Sequence, residues 1–349
     1  MPTKEDLRYY QSMPLDIKIS LTQSRIREWV REYGTNGVYV SFSGGKDSTV
    51  LLHIVREMFP EVEAVFVNTG LEYPEIQKFV KTFENVTILR PEMRFDEVLK
   101  KYGYPIISKE VSECVDQGRK ALARKDGTYK YRLEKLQGTA LDKAGNQSLF
   151  NKAKYEPLLY TNFISSSQCC AVMKKKPAKQ YAKETGKKPM TAQMAAESQL
   201  RTQQWIKNGC NGFDMKNPIS NPMSFWTEQD VLQYIKRYNI RIASVYGDIV
   251  EIGEDGEQYD DNLFGDCAGN LQTTGCDRTG CIFCAFGCHL EKEPSRFERL
   301  KQTHPRQYEY CIGGGEYVDG VWQPNKQGLG MGHVFDELNK IYGDDFIKY

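Results

Sequence analysis

The sequence predicts an α/β fold in which helices cover both faces of a parallel twisted sheet, followed by a cysteine-rich C-terminal extension. Two observations predict it. Segments with strand and helix character alternate between residues 38 and 102, and the strand segments are short, nearly continuous apolar runs. Such alternation builds parallel sheets, and a strand that is apolar throughout is buried on both faces. We therefore expect a sheet sandwiched by helices.

The elements can be assigned in order along the chain. Apolar side chains at helical spacing predict a helix over residues 17–33. The predicted strands are residues 38–42, 62–68, 86–89 and 189–195, and the predicted helices are residues 48–58, 74–83, 95–102, 227–239 and 295–307. Pro74 suits the first turn of its helix, and Thr227 suits an N-cap with Asp230 in the first turn.

The turn between the first strand and the helix after it reads S-G-G-K-D-S, residues 43–48. Gly44 and Gly45 allow a tight bend that brings backbone N–H groups close to an anion, and Lys46 adds a positive charge. Ser48 is expected to cap the helix, whose N-terminal dipole favours negative charge. An ordinary turn that contains two glycines is the alternative. Because all six residues suit an anion site, the sequence predicts phosphate binding beyond the carboxyl ends of the strands.

Composition limits the class of protein. The chain has 349 residues, is 40% hydrophobic and carries a net charge of +1, which is typical of a folded protein with one or two cores. No stretch approaches about 18 consecutive apolar residues, and the first 20 residues contain scattered charges. We therefore expect a cytoplasmic protein with no membrane partner. The charge is uneven, with seven lysines in residues 174–188 and seven acids in residues 248–261.

Residues 109–155 are polar, basic and dotted with glycine, which predicts an insertion of short helices over the phosphate site. No internal repeat or low-complexity linker divides the chain. We therefore predict a nucleotide-binding α/β core over residues 15–245, including this insertion. A cysteine-rich region over residues 246–349 is expected to pack on that core.

Ten cysteines in an intracellular chain favour metal or redox chemistry over disulfides. Cys169 and Cys170 are adjacent, and a glycine-rich run contains Cys276, Cys281, Cys284 and Cys288. Four thiolates suit an iron–sulfur cluster and do not forbid zinc. The spacing alone does not choose between a local set of these four, a mixed set that includes the adjacent pair, and unligated core thiols. Lone buried thiols are expected for Cys114, Cys210, Cys267 and Cys311.

Seven motifs occur in an order typical of one family. They are S-G-G-K-D-S at residues 43–48, F-V-N-T-G-L-E-Y-P-E at 66–75, R-P-E at 90–92, G-Y-P at 103–105, C-C-A-V-M-K at 169–174, A-A-E-S-Q-L-R at 195–201 and F-W-T-E-Q-D-V-L-Q-Y-I at 225–235. With them the chain resembles the phosphoadenosine phosphosulfate (PAPS) reductase family, within the PP-loop ATP pyrophosphatases of the adenine nucleotide alpha hydrolase-like fold.

The resemblance implies roles for individual residues. The nucleotide-binding residues would be Ser43, Gly44, Gly45, Lys46, Asp47, Ser48, Asn68, Thr69 and Gly70. Residues 43–48 would hold the pyrophosphate part, and residues 68–70 would border the adenosine. Arg201 and Lys174 would contact an anionic group of the substrate, with Lys174 near a metal cluster. In adenylyl sulfate reductases a Cys-Cys pair and a later C-x-x-C bind a [4Fe-4S] cluster, which here maps onto Cys169, Cys170, Cys281 and Cys284.

The chain departs from the assimilatory reductases in two ways. Those enzymes attack the sulfonucleotide with a cysteine in a C-terminal E-C-G motif, and this sequence has no cysteine after Cys311. Its complete S-G-G-K-D-S loop also looks more like family members that cleave ATP, such as ATP sulfurylase subunits, tRNA thiolases and DNA phosphorothioation enzymes. The resemblance therefore favours a chain that splits ATP.

We accordingly predict an ATP-dependent sulfurtransferase that adenylates a substrate, releases pyrophosphate and uses an iron–sulfur cluster in sulfur transfer. Its cofactors would be ATP, Mg²⁺ and a [4Fe-4S] cluster, with zinc as the less favoured metal. Lys46 would stabilise charge on the leaving pyrophosphate, and Asp47 would orient a metal or hydroxyl unless it only caps the helix. The alternatives are a sulfonucleotide reductase that releases sulfite and a non-catalytic nucleotide-binding module with a structural metal.

The partners follow from this prediction. They would be a nucleotide, an anionic substrate and a protein that donates sulfur or electrons. A nucleic acid is one candidate substrate, because basic residues that suit a phosphate backbone and tyrosines that suit stacking on bases occur together. They are residues 174–188 with Arg119, Lys120, Arg124, Lys125, Lys130, Arg132, Tyr129, Tyr131, Tyr155 and Tyr181. One small phosphorylated ligand would use the same charges. The sequence leaves the sulfur acceptor open among DNA, tRNA, a small molecule and a sulfonucleotide.

Overall fold

The computed structural model describes residues 2–124, 126–253, 258–259 and 270–349. Its helices within these ranges are α1 Lys4–Ser12, α2 Leu15–Tyr33, α3 Lys46–Met58, α4 Pro74–Val80, α5 Phe95–Tyr102, α6 Lys109–Arg124, α7 Lys130–Gln137, α8 Gln168–Cys170, α9 Lys176–Thr185, α10 Gln199–Asn208, α11 Glu228–Arg237, α12 Arg296–Thr303, α13 Pro305–Ile312 and α14 Met331–Tyr342. A π-helical turn, Ala171–Lys175, follows α8.

The strands within the same ranges are β1 Val38–Ser41, β2 Glu63–Val67, β3 Val86–Leu89, β4 Ile106–Ile107, β5 Lys188–Met190, β6 Asn211–Gly212, β7 Ile219–Ser220, β8 Ile249–Ile252, β9 Gln258–Tyr259, β10 Asn270–Thr273, β11 Ala285–Phe286, β12 Glu316–Val318 and β13 Val321–Gln323. Six of them form the main sheet in the order β3-β2-β1-β5-β7-β6. Neighbouring strands in it are parallel, except for β6, which pairs antiparallel with β7. The predicted α/β fold with a mostly parallel sheet is confirmed.

The sheet is buried because its strands and the helices around it present apolar faces to each other. In β1, Val38 and Val40 are fully buried, and α3 contributes Leu51, Ile54 and Val55 to the same core. Helix α2 adds Trp29, which is also fully buried. This packing fixes the position of β1 and α3, and the turn between them carries the predicted phosphate site.

Most predicted elements are present, with shifted ends. The predicted strand over residues 189–195 is shorter in the structure, where β5 ends at Met190 and a short 3₁₀ turn, Ala195–Glu197, begins at the end of the predicted range. The predicted helix over residues 295–307 is two helices, α12 and α13, with His304 between them. Pro305 explains the break, since proline lacks the N–H that would continue the helix and is tolerated in a first turn.

Contacts divide the chain into two compact units, each built from separate stretches. The first comprises residues 1–68, 72–90 and 177–279, and the second comprises residues 69–71, 91–176 and 280–349. The first contains the main sheet, and the second contains α5–α8 and α12–α14. The described residues of the predicted insertion, 109–124 and 126–155, fold as α6, α7, turns and the start of a 3₁₀ helix, Ala153–Tyr160. The domain boundary predicted between residues 245 and 246 remains a prediction, because the division into compact units does not test which segment folds by itself.

Some sequence features lie outside the described residues. They are Lys125, Cys267 and the acids at positions 254, 255, 257, 260 and 261. Among the residues that are described, no helix is both long enough and apolar enough to cross a lipid bilayer.

Candidate functional site

The loop of residues 43–48 is a tight turn from β1 into α3. Gly44 has φ +73°, and a Cβ at this position would lie 2.7 Å from Val80 Cγ2 and 2.8 Å from Ile76 Cγ2. Both distances are shorter than van der Waals contact, so only glycine fits between the loop and α4. Gly45 is the N-cap of α3 and makes no side-chain cap. The helix therefore begins at the loop with its N-terminal dipole directed there.

Ser48 does not cap α3, contrary to the prediction. The helix begins two residues earlier, at Lys46, so Ser48 lies inside the first turn. Its hydroxyl donates to the Gly45 carbonyl at 2.9 Å and accepts from the Ser43 backbone N–H at 3.1 Å. The hydroxyls of Ser43 and Ser48 are 3.0 Å apart. Ser48 thus stabilises the turn, and its hydroxyl lies next to that of Ser43 in the loop.

Lys46 is buried and held by two oxygens. Its Nζ donates to Glu228 Oε1 at 2.5 Å and to the Asp277 carbonyl at 2.6 Å. Glu228 is the first residue of α11, and Thr227 is the N-cap of that helix in a capping box with Asp230, as predicted. The Glu228 side chain is 41% exposed, whereas that of Lys46 is 5% exposed. The Lys46 ammonium is therefore buried in the loop, and its partner carboxylate, Glu228, lies nearer to solvent.

Asp47 lies at the centre of a group of charges. Burial raises the pKa of its carboxyl, and the charges of Lys46, Arg278 and Arg201 act in the opposite direction. Its Oδ1 is buried and has no hydrogen-bond partner among the described residues. The N-cap is Gly45, so Asp47 does not cap α3. A buried carboxylate oxygen without a partner is costly unless a ligand or ion satisfies it.

Arg201 comes to this group from α10, where it forms an ion pair with Glu197. Burial lowers the pKa of Arg201, as does the charge of Arg278, whereas Asp47 raises it. Lys46, Arg201 and Arg278 thus act electrostatically on Asp47, while Lys46 is also paired with Glu228 and Arg201 with Glu197. The structure brings the predicted anion contact Arg201 together with the predicted loop.

Four residues at the loop were missed by sequence reasoning: Glu228, Tyr246, Arg278 and Thr279. The Lys46 backbone N–H donates to the Tyr246 hydroxyl at 3.2 Å, and this hydroxyl is 2.6 Å from Thr279 Oγ1. Glu228 belongs to the motif at residues 225–235, in which the sequence indicates roles only for Thr227 and Asp230, as capping residues. Arg278 lies between Cys276 and Cys281, in a run whose pattern indicates metal binding.

The four cysteines mapped from the family lie in the second unit and interact with one another. The Cys169 thiol donates to the Cys170 sulfur, which lowers the pKa of Cys170 to about 6, aided by Lys109, Lys174 and Lys175. Cys169, whose pKa is raised mainly by that hydrogen bond, also interacts electrostatically with Cys284 and Cys281. Cys170 interacts in the same way with Cys284. Lys174, predicted as an anion contact, therefore lies near this cysteine group.

No three His, Cys, Asp or Glu side chains in the described ranges are arranged as ligands of a single metal ion. Cys288 is buried, its Sγ donates to the Ala285 carbonyl at 3.1 Å, and burial raises its pKa to about 12. Cys276 belongs to the first unit. Cys114 and Cys311 are fully buried thiols. Cys210 accepts a hydrogen bond from Ser224.

The residues predicted to border the adenosine lie at the end of β2. The Asn68 backbone N–H donates to the Leu89 carbonyl at 2.8 Å, which extends the pairing of β2 and β3. Thr69 is buried, and its Oγ1 accepts from the Leu71 N–H at 3.2 Å. Gly70 has φ +74°. Their position after a strand agrees with the predicted edge of the sheet.

Several basic residues of the predicted insertion are engaged within the protein. Arg119 is the clearest, because its guanidinium donates to the carbonyls of Phe163, Leu158 and Thr161 at 2.7–2.9 Å. Three more basic residues form ion pairs with acids of α6 and α7; they are Lys120, Lys130 and Arg132. Tyr181 donates to Glu63, and Tyr155 packs on Tyr342. These contacts leave Tyr129 and Tyr131 as the more exposed aromatic residues of the set.

Comparison with known proteins identifies the family. The chain matches the phosphoadenosine phosphosulfate reductase domain over residues 37–138 and 123–286, well over half of its length. The chain therefore belongs to the phosphoadenosine phosphosulfate reductase family, as its motifs predicted.

The similarity to individual proteins is either confined to a short segment or low in sequence identity. An uncharacterized protein of Methanocaldococcus jannaschii is 37% identical over 73 residues, which are 20% of this chain and 18% of that protein. The chain thus spans under a fifth of that relative's length. An adenosine 5'-phosphosulfate reductase of Staphylococcus haemolyticus is 24% identical over 222 residues, 62% of this chain and 67% of that protein. A crystal structure of phosphoadenylyl-sulfate reductase from Candida auris is 15% identical, covers 70% of this chain and 91% of that one, and has a TM-score of 0.36, too low to support an inference.

Proposed function

We propose that the protein binds ATP through its phosphates at residues 43–48 and activates a substrate for sulfur transfer by adenylation. The observation that carries the proposal is the loop itself. It contains Gly44, where a Cβ would clash with α4, presents two hydroxyls, and includes Lys46 at the start of α3; Arg201 and Arg278 act electrostatically on its Asp47. Positive charge and helix N–H groups around one turn suit a polyphosphate.

The residues would act as follows. A substrate oxygen attacks the α-phosphorus, the bond from that phosphorus to the bridging oxygen breaks, and pyrophosphate leaves while the substrate loses a proton to water. Lys46 offsets the charge that develops on pyrophosphate. Arg201 and Arg278 orient the anionic groups. A sulfur nucleophile then displaces AMP from the adenylated substrate, which calls for a partner that donates sulfur.

The donor set at the loop suits Mg²⁺. Asp47 would supply a carboxylate oxygen, and its Oδ1 is the buried atom without a partner among the described residues. Hard cations prefer such oxygens, and Mg²⁺ usually binds through one or two carboxylates together with substrate phosphates. The ion would neutralise phosphate charge in the site.

The cysteine group of the second unit suits an iron–sulfur cluster. Cys169, Cys170, Cys281 and Cys284 would hold it, since they are four soft donors whose thiols already interact. Zinc, the less favoured metal, would take the same four sulfurs at about 2.3 Å from one point. A bound cluster would supply electron-transfer or sulfur-handling chemistry beside Lys174.

A second candidate is a sulfonucleotide reductase. It is favoured by the Staphylococcus haemolyticus relative, which is named adenosine 5'-phosphosulfate reductase and matches 62% of this chain. Such an enzyme would bind a sulfonucleotide through the same loop. With two electrons from an external donor, it would release sulfite and AMP.

The deciding experiment uses anaerobically purified protein and two assays. Pyrophosphate release is measured with ATP and candidate acceptors, including DNA and tRNA, and sulfite release is measured with adenosine 5'-phosphosulfate and a thiol reductant. We expect acceptor-dependent pyrophosphate and no sulfite. Catalytic sulfite formation without pyrophosphate would establish the second candidate. Failure to bind either nucleotide would overturn both.

A further inference from the structure

Arg296 is a positively charged residue of the second unit that the proposed chemistry does not use. It is the first residue of α12, directly after Ser295, which caps this helix in a capping box with Glu298. A cation in the first turn of a helix opposes the helix dipole. The favourable partners of the Arg296 charge therefore lie outside α12.

Glu291 fixes the position of the Arg296 guanidinium. Arg296 Nε and Nη2 donate to Glu291 Oε1 at 2.8 and 2.5 Å, and the Arg296 backbone N–H donates to Glu291 Oε2 at 2.8 Å. The side chains of Arg296 and Glu291 are 26% and 24% exposed. Because a guanidinium is planar and rigid, two bonds to one carboxylate fix its direction as well as its place.

The third nitrogen of the guanidinium reaches the cysteine turn. Arg296 Nη1 donates to the Cys284 backbone carbonyl at 2.7 Å, and the charge of Arg296 acts on the sulfurs of Cys284 and Cys288. Cys284 is one of the four residues proposed to hold the iron–sulfur cluster. Groups that bond to metal ligands orient those ligands and tune the metal. Arg296 is therefore placed to do both at Cys284.

The lysines near the same cysteines have a different setting. Lys109, Lys174 and Lys175 act on Cys170, and Lys109 acts on Cys284 less strongly than Arg296 does. Lys109 and Lys175 are exposed, and water and salt screen exposed charges. Arg296 is half-buried and held in one direction, so its charge is screened less and keeps a constant position.

We propose that Arg296 raises the reduction potential of the iron–sulfur cluster by holding a positive charge at Cys284. The inference rests on the cluster assigned to the four cysteines under the proposed function. A cluster bound by four thiolates becomes more negative when it accepts an electron, so a nearby cation stabilises its reduced form. Arg296 acts through Cys284 and is a positioning residue.

The test is a redox titration of anaerobically purified, cluster-loaded protein with dithionite, followed by electron paramagnetic resonance. Arg296→Met removes the charge and should shift the one-electron equilibrium about tenfold toward the oxidised cluster, a fall of 59 mV in potential. Arg296→Lys keeps the charge and should recover most of the potential. The matched control is Arg299→Met on the same helix, because the Arg299 guanidinium bonds to the Pro294 carbonyl at an exposed position. The control should keep the wild-type potential.

Iron and acid-labile sulfide are measured in every sample, which separates this inference from the cluster assignment. Wild-type protein without iron would overturn both. Iron retained in Arg296→Met with a shift of less than about twofold, or an equal shift in Arg299→Met, would overturn only the role of Arg296.

A variant that loses iron is also informative. If Arg296→Met binds less iron than wild type, Arg296→Gln replaces it, because glutamine keeps a donor for the Cys284 carbonyl and lacks the charge. Arg296→Gln should then show the same fall in potential. Loss of iron from both variants would overturn the proposal, since Arg296 would then be needed to assemble the cluster and not to set its potential.

Discussion

At the scale of single residues, the two adjacent charged side chains of the loop differ in their hydrogen bonding. Lys46 is satisfied by Glu228 and a carbonyl, whereas Asp47 keeps one buried oxygen without a partner in the described chain. Lys46 must exchange its carboxylate partner for phosphate when a nucleotide binds. The Asp47 oxygen, by contrast, gains a partner when a cation binds. The two residues therefore respond differently to substitution.

Glu228→Gln should strengthen ATP binding in the absence of Mg²⁺. The carboxylate competes with phosphate for Lys46 and repels the anion, so its removal should lower Kd by about five- to tenfold, measured by calorimetry. Glu57→Gln, on α3 and 48% exposed in its side chain, makes the same charge change and serves as the control. Weaker binding by Glu228→Gln would show that Glu228 assists the nucleotide directly.

Asp47→Asn should abolish pyrophosphate release and yet stabilise the protein at pH 7. Burial raises the pKa of Asp47 above its usual value. The folded state therefore holds this proton more tightly than the unfolded chain does. Wild-type stability falls as pH rises from the usual carboxyl pKa through the raised one.

The gain from Asp47→Asn should be about 0.5–2 kcal/mol, the range for single stabilising substitutions, and should vanish below the usual carboxyl pKa. Denaturant unfolding at several pH values checks it. A variant less stable than wild type at pH 7 would mean that Asp47 makes favourable contacts in the folded protein that outweigh its burial.

At the scale of elements, the loop is shaped by the helix behind it. The turn closes against Ile76 and Val80 of α4, and α11 supplies Glu228 through a capped N-terminus. The sequence indicated each of these helices, because Pro74 and Thr227 mark where they begin. It did not indicate that α4 would pack within contact distance of Gly44.

A comparison of Gly44→Ala with Gly34→Ala separates the cost of backbone strain from the cost of the clash with α4. The two glycines have φ of +73° and +75°, but a Cβ at Gly34 meets nothing within 4 Å. Gly34→Ala should cost about 1–3 kcal/mol, because φ +75° with ψ 159° is a backbone conformation that is essentially confined to glycine. Gly44→Ala should cost a further 1–3 kcal/mol, roughly, for the clash, and it should abolish nucleotide binding. Equal costs with retained binding would contradict the described loop.

At the scale of the whole molecule, the two candidate sites belong to different compact units, with the loop in the first and the four cysteines in the second. Each unit is assembled from separate stretches of chain. Stretches that are distant in sequence therefore meet within a unit, as do residues 169–170 and 281–284. A linear sequence shows such groups only as separate motifs.

Substitutions at the two sites should have separable effects. Lys46→Ala should abolish nucleotide binding and leave iron and acid-labile sulfide unchanged, whereas Cys281→Ser should remove the metal and leave ATP binding intact. Cys288→Ser, at a buried thiol bonded to a carbonyl, should retain the iron and so distinguishes the family-matched set from the local set. Iron retained by Cys281→Ser but lost in Cys288→Ser would reverse that assignment.

The sequence by itself determined the family, the sheet class and the position of the anion loop, because these depend on local patterns: apolar runs, glycines at a turn, and capping residues. Only the tertiary structure decided which charges meet there. Glu228 and Tyr246 lie 182 and 200 residues from Lys46 and bond to it only after packing, and Arg278 acts on the neighbouring Asp47. The same holds for the buried Asp47 Oδ1, which has no hydrogen-bond partner among the described residues, since an unpaired polar atom becomes costly only after folding has removed water from it.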